Sequence, residues 1–176
     1  MLPHLEFEPT PKPLHDRDSA ALRKLRDDDA SGALKKMFGD SEEPLDWKEG
    51  SGDKAVTVSD GRVTKLDLYQ CSDLKALPAA IGKLGALTKL DLSYCSSLAE
   101  LPAAISELGA LTELNLHECT SLASLPDAIG ELKALTKAKK ENEEFLDKIE
   151  EKFRRISTAA ETRVVELNDK KCCVVA

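Results

Sequence analysis

From Val63 onward the apolar positions of the chain fall on a fixed grid. Three consecutive 24-residue units begin at Val63, Leu87 and Leu111, and a fourth starts and breaks off after Leu135-Thr136-Lys137. Each unit reads LxxLxLxxCxxLxxLPxxIxxLxx. A repeat of this period marks a stack of identical supersecondary units, because one unit alone cannot bury its apolar face. Leu87, Leu90 and Leu92 place apolar side chains on one face of a short strand, with Thr88, Lys89, Asp91 and Ser93 on the other. Leu101-Pro102 then opens a short helical turn, with Pro102 expected inside the first turn, where its missing N–H costs nothing. Ile105 and Leu108 are expected to face inward from that turn. One unit should therefore give a strand on a concave side and a helical turn on a convex side, with neighbouring strands parallel.

The flanking patterns differ. Residues 1–14 contain Pro9-Thr10-Pro11-Lys12-Pro13 and read as an extended leader. Residues 15–62 read as an N-terminal cap. A helix is expected over Asp16–Arg26, capped by Asp16 or Asp18, and a second over Ser31–Phe38, closed by Gly39. A flexible loop follows at Glu49–Asp53. Then Ala55–Val58 and the turn Ser59-Asp60-Gly61-Arg62 predict a hairpin whose second strand is the first strand of the repeats. Residues 63–137 are the repeats. After them the period becomes three and four residues: Ala138, Asn142, Phe145, Ile149, Phe153, Ile156, Ala160, Val164 and Leu167 predict an amphipathic helix over residues 138–168. Glu144–Lys148, Glu150–Arg154 and Glu151–Arg155 support it at i,i+4. Residues 169–176 form a tail.

Composition narrows the function. The hydrophobic fraction is 41%, but aromatics are only 4%, which suits a core of repeated Leu, Ile and Ala. The formal charge is −7, with no clustered Lys/Arg face, so a nucleic-acid partner is not expected. Nothing approaches the length of a membrane span, and the N-terminus has no apolar signal core. A cytoplasmic, reducing compartment is expected, with thiols rather than disulfides. His4, His15 and His117 have no nucleophile paired with them in sequence, and neither a phosphate-binding glycine loop nor GxSxG is present. The chain reads as a non-enzyme without a cofactor.

The pattern resembles the leucine-rich repeat, in the LP-x-x-I-G variety familiar from plant-type intracellular repeat proteins and immune receptors. Asp18-Ser19-Ala20-Ala21-Leu22, Trp47, Val56-Thr57-Val58 and Asp60-Gly61-Arg62-Val63-Thr64 look like the plant-type N-terminal cap without its cysteine pair. The resemblance implies an α/β solenoid and a protein partner. It also implies that Cys71, Cys95 and Cys119 occupy the slot that bonds backbone groups of the adjacent turn. Zinc is the alternative for these thiols, although a ladder does not converge them tetrahedrally.

The candidate binding surface is the concave face. Its columns are Lys65/Lys89/Glu113, Asp67/Asp91/Asn115, Tyr69/Ser93/His117 and Gln70/Tyr94/Glu118. Aromatics among charges suit protein recognition, because rings give contact area at small entropic cost; a solvated face that binds nothing is the alternative. The terminal Cys173-Val174-Val175-Ala176 fits the C-a-a-X prenylation pattern, and Cys172 could take a palmitoyl chain, two signals that together suffice for peripheral membrane anchoring. An ordinary apolar tail is the alternative there. The expected function is an adaptor. The rival is an architectural subunit held mainly by helix pairing through residues 138–168.

Overall fold

The computed structural model of the protein describes residues 12–132, 134 and 135, and the strand segments 137–139, 163–167 and 171–175. Two helices, α1 (Asp16–Asp27) and α2 (Ala33–Phe38), precede an antiparallel hairpin of β1 (Val56–Ser59) and β2 (Arg62–Asp67). Three short parallel strands follow, one per repeat: β3 (Lys89–Asp91), β4 (Glu113–Asn115) and β5 (Lys137–Lys139). The sheet order is β1-β2-β3-β4-β5. Its register is that of the repeat: Leu66 pairs with Leu90, Leu90 with Leu114, and Leu114 with Ala138.

The opposite wall is built from 3-10 turns at Ala79–Lys83, Ala103–Glu107 and Asp127–Glu131. Pro102 does not lie inside its turn as expected. It sits just before it, in extended conformation at φ −70° and ψ 150°, and Pro78 and Pro126 do the same. An extended proline sets the angle at which the chain enters the turn. Between the walls lies a continuous core of Leu66, Leu90, Leu114, Leu68, Leu92, Leu116, Ile81, Ile105 and Ile129, all at most 2% exposed.

The N-terminal helices close the first turn, with α1 lying against the 3-10 turn at Ala79–Lys83. Neither predicted aspartate caps α1. His15 holds that place, its Nδ1 accepting from the Arg17 N–H at 3.2 Å. Asp18 instead turns into the core, fully buried, and accepts from Arg62 Nε at 2.9 Å, Arg62 Nη2 at 3.1 Å and the Val63 N–H at 2.9 Å. This carboxylate ties α1 to the first strand of the stack. Helix α2 starts two residues later than predicted because Gly32 takes φ +70° and Asp29 accepts from the Ser31 and Leu34 N–H groups. Trp47 stacks on Phe38 at 4.4 Å, and Arg26 lies over its ring while donating to the Ser41 carbonyl at 2.6 Å.

The predicted helix over residues 138–168 does not hold at its ends. Ala138 lies in β5, and β6 (Arg163–Leu167) pairs antiparallel with β7 (Lys171–Val175), Val165 opposite Cys173 and Glu166 opposite Cys172. Strand β6 lies beside β5. The reason is local: Val164-Val165 and Cys172-Cys173-Val174-Val175 are rich in β-branched residues, which prefer extended backbone. The centre of the predicted helix, 140–162, and the leader through residue 11 lie outside the described residues.

Two substitutions test this architecture. Asp18→Ala strands two charge-assisted donors and a buried N–H, and should lower unfolding stability by about 2–3 kcal/mol in urea titrations. Leu90→Ala empties the central rung and should cost about 2–5 kcal/mol.

Candidate functional site

The outward residues of the sheet align in rows because the register is exact. Lys65, Lys89 and Glu113 are side by side, as are Asp67, Asp91 and Asn115. Lys89 Nζ reaches Glu113 Oε2 at 3.1 Å, and Lys65 Nζ reaches Asp67 Oδ2 at 2.8 Å. Asp91 Oδ2 accepts from Asn115 Nδ2 at 2.9 Å, so an amide stands where a third carboxylate would add repulsion. The Lys65 ammonium is held more basic than usual, chiefly by its hydrogen bond to Asp67, with Asp91 and Glu49 adding attraction against the opposing cost of burial.

The middle row also builds backbone. The side chains of Asp67, Asp91 and Asn115 each accept from the N–H two residues on: Tyr69 at 3.1 Å, Ser93 at 2.9 Å and His117 at 3.2 Å. These turns end the strands. The residue after each turn then takes a left-handed conformation: Gln70 at φ 60°, Tyr94 at φ 61° and Glu118 at φ 56°. The Gln70 N–H donates to the Ser93 carbonyl at 3.0 Å, and the Tyr94 N–H to that of His117 at 2.8 Å. The stacking hydrogen bonds hold a conformation that costs a non-glycine residue about 1–2 kcal/mol.

This bend rearranges the expected columns. Sequence spacing groups Tyr69 with Ser93 and His117, and Tyr94 with Gln70 and Glu118. In the structure Tyr94 stands between Tyr69 and His117, its ring 5.4 Å from the first and 5.2 Å from the second, each at 74°. Edge-to-face rings at these distances are mutually attractive. Tyr94 is the exposed large apolar side chain among the described residues, at 42%. Ser93, expected on the binding face, is buried, its hydroxyl donating to Asp91. A partner cannot reach it. A threonine row that sequence reading did not single out runs alongside: Thr88 Oγ1 donates to the Thr64 carbonyl at 2.8 Å, and Thr112 Oγ1 to that of Thr88 at 3.0 Å.

The N-terminal region extends this face. The Gly50 N–H donates to the Tyr69 carbonyl at 3.0 Å, and a Cβ at Gly50 would stand 2.6 Å from that oxygen and 2.7 Å from the Gln70 Cβ. Only glycine fits so close an approach. The loop around it, expected to be flexible, is organised by the buried Glu49 carboxylate, which accepts from the Ser51 and Asp53 N–H groups at 2.9 Å each. Between this loop, α2 and the first repeat lies an open cavity of about 320 Å³ lined by Lys36, Met37, Glu49, Gln70 and Asp73 among others.

The cysteine ladder lies on the other side of the strands. Cys95 Sγ donates to the Leu68 carbonyl at 3.3 Å, and Cys119 Sγ to that of Leu92 at 3.1 Å. Burial pushes the Cys71 thiol up to about 12, with Asp29 and Asp73 adding to it, and burial likewise raises that of Cys95. Thiols held protonated in this way are poor nucleophiles and poor metal ligands. Among the described residues no cluster of His, Cys, Asp and Glu has the makings of a metal site. No described helix is long and apolar enough to cross a membrane.

Comparison with known proteins identifies the repeat unit. The leucine-rich-repeat family model matches residues 86–108, the central unit of the stack. The structure resembles that of a plant ice-binding protein with a TM-score of 0.51 at 24% identity, over 77% of this chain and 45% of the other. This chain thus spans less than half the length of that protein. It also matches two ectodomains from Arabidopsis thaliana: that of BIR2 at 18% identity and TM-score 0.34, over 74% of this chain and 84% of the other, and the leucine-rich-repeat ectodomain of the receptor kinase SOBIR1 at 19% and 0.36, over 74% and 81%. No curated protein sequence matches the chain. The central unit of the stack is thus a leucine-rich repeat.

Two measurements check the site's chemistry. Iodoacetamide at mild alkaline pH, followed by peptide mapping, should leave Cys71, Cys95 and Cys119 unmodified in the native protein and alkylate all three after denaturation. Glu118→Gly should leave stability unchanged or raise it by up to about 1 kcal/mol, because the left-handed position suits glycine.

Proposed function

We propose that this chain is a non-enzymatic protein-interaction adaptor: a short solenoid, capped by residues 15–62, that docks a partner protein along the row Tyr69, Tyr94 and His117. The observation that carries this reading is the position of Tyr94. Successive repeats supply one ring each, and the middle ring is the most exposed. An aromatic side chain that is rigidly buttressed yet solvent-facing is the usual anchor of a protein interface. Lys65, Asp67, Lys89, Asp91, Glu113, Asn115 and Glu118 would form its polar surround. The protonated thiols and the absorption of Asp67 and Asp91 into backbone turns support a binding rather than a catalytic face.

The rival, an architectural subunit held by its C-terminal segment, differs in where contact falls. A photo-crosslinking aromatic residue placed at position 94 should capture a partner, whereas the same residue at Ala103, exposed on the opposite wall, should not. Adducts confined to Ala103 or to residues 138–168 would reject the adaptor reading. Membrane tethering through a prenyl group on Cys173 and a palmitoyl group on Cys172, and with it a cytoplasmic, peripheral-membrane location, is a separate proposal carried by the sequence pattern alone. Intact mass after expression in eukaryotic cells should show farnesylation that Cys173→Ser abolishes; an unmodified mass rejects it.

A further inference from the structure

The charges around the aromatic row are unbalanced in a specific way. Three lysines near it are already ion-paired: Lys65 with Asp67, Lys89 with Glu113, and Lys36 with Asp73 at 2.7 Å. Asp91 and Glu49 are held by neutral donors only, namely Ser93 and Asn115 for the first and Ser51 and Asp53 for the second. Their charges are oriented but not neutralised by those contacts. Lys65 alone faces Asp67, Asp91 and Glu49 together. Strands β2, β3 and β4 and the loop at Glu49 therefore carry surplus negative potential around a cluster of rings. The register positions beside Glu113 and Asn115 in β5 are Lys137 and Lys139.

Rings with surplus carboxylate around them favour a cation. A guanidinium suits this site better than an ammonium, because it is planar, weakly hydrated and stacks on an aromatic face. The site is also elongated. The row crosses three turns of the stack, roughly 10 Å and about three residues of extended chain, and at Tyr69 and Gln70 it runs into the cavity beneath α2.

We propose that the face from this cavity to His117 takes an extended, arginine-bearing segment of a partner protein, with a guanidinium seated on the exposed ring of Tyr94. The surrounding carboxylates act through their field, since their oxygens are committed to turns. This rests on the docking reading above and adds the chemistry of the occupant.

The test uses the full chain and fluorescein-labelled alternating peptides, arginine–serine, lysine–serine and glutamate–serine, read by anisotropy at physiological salt. The arginine peptide should bind, the lysine peptide several-fold more weakly, and the glutamate peptide not at all. Tyr94→Gly should weaken the arginine peptide about tenfold without lowering the thermal midpoint, and Tyr94→Asn, which also tolerates the left-handed backbone, should do the same. Equal binding by wild type and both variants would show charge attraction alone and overturn the proposal, as would equal binding of the arginine and lysine peptides. A dimer in light scattering that Tyr94→Gly dissociates would also overturn it, by making a second copy the occupant. If crosslinking at position 94 captures a partner while the arginine peptide does not bind, the docking reading stands and the cationic occupant falls.

Discussion

No leucine rung in this protein is buried by its own turn. Leu90 is shielded because the turns bearing Leu66 and Leu114 lie on either side, at paired positions in the parallel register. The stack therefore holds only as a series, and its ends pose a problem that the middle does not. At the N-terminal end the solution is chemical. Asp18, fully buried, grips Arg62 and the Val63 N–H, so α1 is fastened to the first strand of the stack, whose outer edge β1 covers. At the other end the rung falls from leucine to Ala138, with β6 alongside.

The same register creates the proposed docking face without dedicated machinery. A parallel stack repeats every outward position, so one charged side chain per unit becomes a row, whereas the aromatic row joins two positions, Tyr69 and His117 with Tyr94 from the next one along. Like charges in a row repel, and the chain varies the repeat just enough to relieve this: Asn115 follows Asp67 and Asp91, and Glu113 follows Lys65 and Lys89. The hydrogen bond from Asn115 to Asp91 and the ion pair from Lys89 to Glu113 show both exchanges working. Departures from exact repetition are where this fold carries information.

The stack itself was legible from sequence because its signal is periodic. Leucine spacing alone predicts that Leu66, Leu90 and Leu114 pair, and the Cys95 and Cys119 thiols reach backbone carbonyls of the preceding turn as the family resemblance implies. What was not legible depended on backbone conformation that no residue type announces. Gln70, Tyr94 and Glu118 are unlike one another and unlike glycine, yet all three are left-handed. That bend brings Tyr94 into line with Tyr69 and His117, while the small Ser93 is buried with its hydroxyl on Asp91. The Asx-type turns of Asp67, Asp91 and Asn115 were the available signal, since aspartate and asparagine two residues before a break commonly close a turn. Beyond Thr136 the three-and-four spacing of Val164 and Leu167 was outweighed by the strand preference of consecutive valines.

In the proposed docking, stability and recognition are coupled through Tyr94. A left-handed tyrosine is an expensive way to hold a turn that glycine would hold more cheaply, and the neighbouring repeats fill the same slot with Gln70 and Glu118. The strain alone does not imply function, because the slot is strained in every unit. What distinguishes Tyr94 is that the backbone cost is accepted with an aromatic whose ring is then braced on both sides by Tyr69 and His117. Bracing removes rotamer freedom before any partner arrives, which lowers the entropic cost of docking. A scaffold that spends backbone energy to present one rigid ring in an acidic surround fits the proposed docking.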